Sequence, residues 1–173
     1  MTTATTPRTA DAIVPSARMG LGFFELMLKD IPAEKFARTP DGVQTNHPAW
    51  IVGHLSIYPD TVLELIGAGD RAEPDEAFTE LFKNGSPCVD DKDGSVYPPK
   101  DELVARFLAR FNTALDAVAQ ADDATLAQPN DGFASETMPT AGAVVNFLLG
   151  HHVMMHMGQI SAWRRMMGMG SAT

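Results

Sequence analysis

Three of the five histidines in the chain, His151, His152 and His156, fall in GHHVMMHMGQISAW, residues 150–163. The other two, His47 and His54, sit together in NHPAWIVGHL. At about 100° per residue, His152 and His156 lie about 40° apart and one turn apart on a helix, side by side as a metal ion requires. His151 points about 100° away from His152, and the residue four after it is Met155, so it lacks a partner at that spacing. An HxxxH pair alone is a common coincidence. This one interrupts an apolar stripe, where two imidazoles without partners would each cost roughly a few kcal/mol in lost hydration. A metal ion removes that cost.

His54 falls in the middle of the inner stripe of another helix, with Trp50 and Tyr58 one turn to either side. Imidazoles from two separate helices, one and two in number, make a three-nitrogen site with open positions. That is the ligand count of a catalytic metal rather than of a closed structural one. Zinc, nickel and ferrous iron all suit imidazole. Gln159 lies seven residues after His152 and returns to its face, placed to hydrogen-bond a ligand or a water on the metal. Trp50, Tyr58 and Gln159 are therefore the expected substrate-binding residues. His47 shares the face of His54 at a distance of roughly 10 Å, and reads as a surface histidine at the helix entrance. No Glu-x-x-His motif of a di-iron carboxylate bundle occurs, and no haem-attachment motif.

These residues need helices to carry them. No Asp, Glu, Lys or Arg lies between Glu136 and Arg164. The segment from Ala141 to Met167 reads as one long helix, with Thr140 as N-cap and Gly168 as stop. Its polar groups argue against a membrane span. A second helix is expected over about 47–67, with Asn46 as N-cap and Pro48 in its first turn. Pro59 removes the hydrogen bond to the carbonyl of Leu55, so a kink or break is expected there. A first helix reads from about 11 to 30, with Pro15 marking its start, and another from about 100 to 120, with acids in its first turn. Residues 69–99 are dense in Gly, Pro, Asp and Ser, interrupted by a short helix near 76–82; a connection of this length often forms a lid or pocket wall. The expected architecture is all-α: a four-helix bundle with long connections, one domain over 1–173 with a loose N-terminus at 1–10.

Composition narrows the function. The formal net charge is −9, from 22 acids against 13 bases, and no basic cluster exceeds Arg164–Arg165. That argues against nucleic acid and against an anionic membrane surface. One cysteine, Cys88, excludes an internal disulfide and a CxxC metal knuckle; flanked by Pro87 and acidic neighbours, it reads as an ordinary loop cysteine. The DDKDG run lacks the ligand pattern of an EF-hand and reads as a solvated turn. The first residues lack the apolar core of a secretory signal, which makes the cytoplasm the expected location.

Together WIVGHL, with His54, and HVMMHMGQI, with His152 and His156, resemble the DinB family, helical bundles that include low-molecular-weight thiol transferases. The resemblance implies a dimeric four-helix bundle with a metal site on these three histidines. Family members with known roles join a thiol such as bacillithiol or mycothiol to an electrophile, or isomerise maleylpyruvate with a thiol's help; a similar domain supplies the iron-binding histidines of sulfoxide synthases. The sequence departs from the pattern at Met157, where relatives often carry arginine, at Pro59, and in the long 69–99 segment. The resemblance therefore carries no substrate identity. The leading expectation is a metal-dependent transferase acting with a low-molecular-weight thiol, in a homodimer favoured by the apolar last helix. The alternatives are a metal-dependent hydrolase and a non-catalytic, stress-related metal- or ligand-binding bundle.

Overall fold

The computed structural model describes residues 6–172. The first long helix, α1, runs Thr9–Lys29. A one-turn helix α2, Ala33–Phe36, follows it. Then come α3, Pro48–Ser56, and α4, Tyr58–Leu65, separated at Ile57. A 3-10 turn at Gly69–Arg71 and the short α5, Glu76–Phe82, interrupt the long connection. Next are α6, Lys100–Gln120, and the one-turn α7, Asp123–Leu126. The last arm is α8, Ala141–Asn146, a π-turn at Phe147–His151, and α9, His152–Met166.

Four arms make the bundle. Helix α6 packs against α1 on one side and against α3 and α4 on the other, while α9 packs against α1 and α3. The core between them holds Phe24, Ile51, Leu55, Phe107, Phe111, Leu115, Val145, Ile160 and Trp163, each buried. Every residue of α3 from Pro48 to Ser56 is buried, because α5 covers the side of α3 that the other arms leave open. Among the described residues no strand occurs, only an isolated bridge between Pro129 and Thr140, and no helix is long and apolar enough to cross a membrane.

Several boundaries differ from the expected ones. Thr9 and Ala10 are helical and Ala10 is buried, so the loose segment does not extend to residue 10; Met1–Thr5 lie outside the described residues. Pro15 stands inside α1 rather than at its start, since Arg8 and Asp11 close the helix end reciprocally through backbone N–H groups. The N-cap of α3 is His47, not Asn46. The break near Pro59 is complete enough to divide the second arm in two. The last arm is not one regular helix. Its N-terminus is as expected, with the Thr140 hydroxyl accepting from the Ala143 N–H. Gly168, at φ 72°, closes its other end, where Gly168 N–H reaches Arg165 O and Met169 N–H reaches Arg164 O, the paired bonds of a left-handed C-cap.

Two buried arginines tie the arms together. Arg110 on α6 is 3% exposed; its Nε donates to Asp60 of α4 at 3.0 Å and its Nη2 to the Arg71 carbonyl at 2.9 Å. Arg164 of α9 is fully buried and donates to the Met27 carbonyl at 2.9 Å and to Asp30 at 2.8 Å. The Arg164 guanidinium beside Asp30 holds that carboxyl below its ordinary pKa. A buried guanidinium is costly unless it is paired; the two Nη groups of Arg164 are met in this way, while its Nε is buried without a partner.

Candidate metal centre

The two histidine-bearing segments converge. His54, His152 and His156 are 3%, 6% and 5% exposed, and one ring nitrogen from each lies within 4.8 Å of the others. His54 points inward because Phe82, at the C-terminal end of α5, accepts from its Nδ1–H at 2.8 Å. That turns His54 Nε2 toward the other two rings. Trp50, one turn earlier, lies flat on the His54 ring with centroids 4.7 Å apart and planes 12° apart. Its indole N–H is anchored by the Ser86 hydroxyl at 3.0 Å. Tyr58 stands edge-on to both His54 and His152, at 5.0 and 4.7 Å. Its hydroxyl is 3.4 Å from His54 Nε2.

His156 is oriented by Gln159, whose Oε1 accepts from His156 Nδ1–H at 2.9 Å. Its Nε2 lies 3.1 Å from His152 Nε2, within hydrogen-bond distance. The Nδ1 of His152 is buried without a hydrogen-bond partner; this ring is held instead by Phe147, stacked on it at 5.6 Å and 16°. The π-turn makes that stack possible. In an α-helix a residue five positions earlier points about 140° away. Here the N–H of His152 bonds to the carbonyl of Phe147, and the wider turn brings the two rings to the same side.

Burial pushes all three imidazoles toward their neutral forms. It lowers the His54 pKa. It lowers that of His152 to about 3, with the nearby His156 and His54 adding to the effect. It lowers that of His156 to about 4, helped by His54 and partly opposed by Gln159. Neutral imidazoles with bare nitrogens facing one point are what a divalent cation requires. Two of the three far nitrogens carry the outer hydrogen bonds that fix a ligand's tautomer. The residues fit a metal ion, one nitrogen from each ring lying within reach of a common point.

The other singled-out residues divide. Trp50 and Tyr58 lie against the histidine rings. Gln159 reaches the metal centre through His156. His47 is not a surface histidine: it is fully buried, its Nδ1 accepts from the Trp50 N–H at 3.2 Å, and its Nε2–H donates to the Val89 carbonyl at 2.8 Å. It stays outside the cluster, with both ring nitrogens engaged elsewhere. His151 is exposed and takes no part. Cys88 accepts from the His47 N–H, and burial pushes its thiol up to about 11, as an inert loop cysteine should be. In the DDKDG turn, Asp91 accepts from the N–H groups of Ser95, Val96 and Tyr97, so it organises the loop.

Sequence reasoning missed Phe82, Phe147 and Phe133. Phe82 acts through its backbone carbonyl, which no side-chain pattern reveals. Phe147 reaches His152 only through a turn that departs from the regular helical period. Phe133, on the 129–140 connection, approaches Phe147 at 6.2 Å, and its segment carries no periodicity to place it.

No curated protein and no solved structure matches the chain. The family model described as the DinB superfamily matches residues 23–160, from the middle of α1 to beyond all three clustered histidines. That match covers most of the chain's length and both histidine motifs, and on it the chain belongs to the DinB superfamily.

Proposed function

We propose that the protein is a metal-dependent transferase that joins a low-molecular-weight cellular thiol to an electrophilic small molecule. The observation that carries this reading is the convergence of three neutral imidazoles from two arms, two of them locked by outer hydrogen bonds. A bound divalent ion of zinc, nickel or iron would supply a positive charge that lowers the pKa of a thiol beside it. In the transfer, the thiol sulfur forms a bond to the electrophilic carbon. The leaving group departs with the bonding pair, and the thiol proton passes to solvent.

The protein's own groups prepare this step. Trp50 and Phe147 cover the flat faces of His54 and His152 and keep water from them. Burial raises the pKa of Tyr58, so its hydroxyl stays protonated at neutral pH and donates toward an anion at the centre. Trp50, Tyr58 and Gln159 are the residues assigned to substrate contact. A thiol co-substrate also favours the cytoplasm, where low-molecular-weight thiols are kept reduced.

A second copy of the chain is the proposed partner. Met19, Phe23 and Leu26 on α1 are 62%, 51% and 44% exposed, and Met154 and Met155 on α9 are 47% and 55% exposed. The two helices pack side by side, with Met154 Sδ 3.6 Å from the position a Cβ would take on Gly20. An apolar face of this kind is self-complementary across a two-fold axis. Sedimentation should give a dimer that Phe23→Lys dissociates; a wild-type monomer would count against it.

The catalytic reading is tested by incubating metal-loaded protein with several cellular thiols and a bromobimane. Conjugation that needs metal and disappears in His152→Ala supports the transferase. No turnover with any thiol leaves a non-catalytic metal-binding bundle as the better account.

A further inference from the structure

We propose that Phe133 and Phe147 form a subsite for an uncharged aromatic limb of the small molecule taken at the metal centre. The inference rests on the reading of the three histidines as a metal site that accepts a small ligand. It adds the chemical class of the part that lies beside the ion.

The two rings connect the histidine cluster to solvent. Phe147 is half-buried and stacks on His152. Phe133 lies 6.2 Å further out, its plane tilted 37° from that of Phe147, and is 67% exposed. An aromatic ring at that exposure gives up most of the burial energy that usually justifies its presence.

The loop does not need that ring to hold its shape. Asn130, 8% exposed, donates from Nδ2 to the carbonyls of Phe133 and Met138 at 2.9 and 2.8 Å, and accepts from the Gly132 N–H at 3.1 Å. Backbone bonds from Asn130 N–H to Pro139 O and from Ala141 N–H to Gln128 O close the base of the loop. Ala134, next to Phe133, has a φ of 52°, the only positive value among the described non-glycine residues. Such a conformation persists only where the surroundings enforce it. The Phe133 ring is therefore presented by backbone and Asn130 bonds, beside a ring that touches a ligand histidine.

Charge selects among possible limbs. The only charged side chains on the 129–140 connection are Asp131 and Glu136, both exposed and both acidic. They disfavour an anionic group at Phe133. A flat uncharged ring gains from stacking or edge contact with both phenylalanines, each such pair being worth about 0.5–1.5 kcal/mol beyond its burial.

The test uses cobalt-loaded protein titrated with benzyl mercaptan and with 2-mercaptoethanol, read in the sulfur-to-cobalt charge-transfer band. Phe133→Ala should weaken benzyl mercaptan about fivefold to tenfold and leave 2-mercaptoethanol unchanged. Phe133→Tyr should keep the wild-type ratio. Because the ring is mostly exposed, neither variant should impair folding. Equal changes for both thiols, or none for either, would overturn the subsite.

The same comparison with 4-phenylimidazole and imidazole, read in the cobalt d–d bands, separates the two readings. Phenyl selectivity lost in Phe133→Ala without any thiol band in the wild type would keep the subsite and sink thiol transfer. Thiol bands without phenyl selectivity would sink the subsite alone. Failure to bind cobalt would remove both.

Discussion

Gln159→Leu separates two roles that one side chain has been given. In the structure Gln159 Oε1 takes the Nδ1 proton of His156 at 2.9 Å, so the amide fixes the tautomer that turns Nε2 toward the cluster. Leucine keeps a similar volume and removes the acceptor. Loss of such an outer partner typically costs 10–100-fold in metal affinity, about 1.4–2.7 kcal/mol. The lower end is expected here. Gln159 is exposed, so water can replace part of the lost bond, and its acceptor is a neutral amide rather than a carboxylate. The dissociation constant for zinc or cobalt should rise about tenfold in competition with a chromophoric chelator. Gln159→Glu restores the acceptor, adds negative charge, and should bind at least as tightly as wild type. The metal-free Leu variant should unfold within about 0.5 kcal/mol of wild type, as surface substitutions do. A dissociation constant for the Leu variant within twofold of wild type would refute the reasoning. A raised KM with unchanged metal affinity would place Gln159 in substrate contact alone.

Three further outcomes follow from the same geometry. Gly53→Ala would set a Cβ 2.3 Å from the buried Phe82 ring, and overpacking of this kind costs about 1–3 kcal/mol; since the Phe82 carbonyl holds His54, urea denaturation and metal titration should both register the change, and unchanged values would contradict it. For the metal-free protein, His152 and His156 titrate near 3 and 4 when folded, against 6.5 for an unperturbed histidine. The unfolded chain therefore takes up protons first, so stability is full above pH 6.5 and falls as pH drops toward 4. The slope should be about 1.4 kcal/mol per pH unit for each histidine; denaturation in chelator at several pH values measures it, and His152→Leu should show a shallower slope. His47→Ala removes the cap of α3 and the bond to Val89; a loss of about 0.5–2 kcal/mol is expected, with faster hydrogen exchange at the Trp50 amide, and unchanged exchange there would argue against the cap.

The bundle was legible because its signals are local. Thr140 and Gly168 bound the last arm as their side-chain and backbone preferences require. The stripe through Leu103, Phe107, Phe111 and Leu115 is buried along α6. His54, His152 and His156 were legible for a related reason: an imidazole on an apolar stripe is expensive unless something binds it. Less legible was whatever depends on a partner distant in sequence. His47 looked like an entrance residue until Val89, forty-two positions later, was seen to accept its proton. Asn46 has the better capping chemistry, yet burial of His47 against the 83–99 segment places the imidazole in that role. Arg110 and Arg164 are charged residues on helix surfaces by pattern, and only Asp60 and Asp30 on other arms explain their burial.

The π-turn at Phe147–His151 also bears on which length changes the chain can accept. Residues gained or lost in the exposed turn at 41–44 alter only a span of coil, at an entropic cost that grows slowly with length. One residue removed from the wide turn would restore an ordinary helix and swing α8, with the Phe133 connection before it, by about 100° relative to the HxxxH pair. In a lineage of such proteins, insertions and deletions should therefore accumulate freely in the first place and be purged from the second.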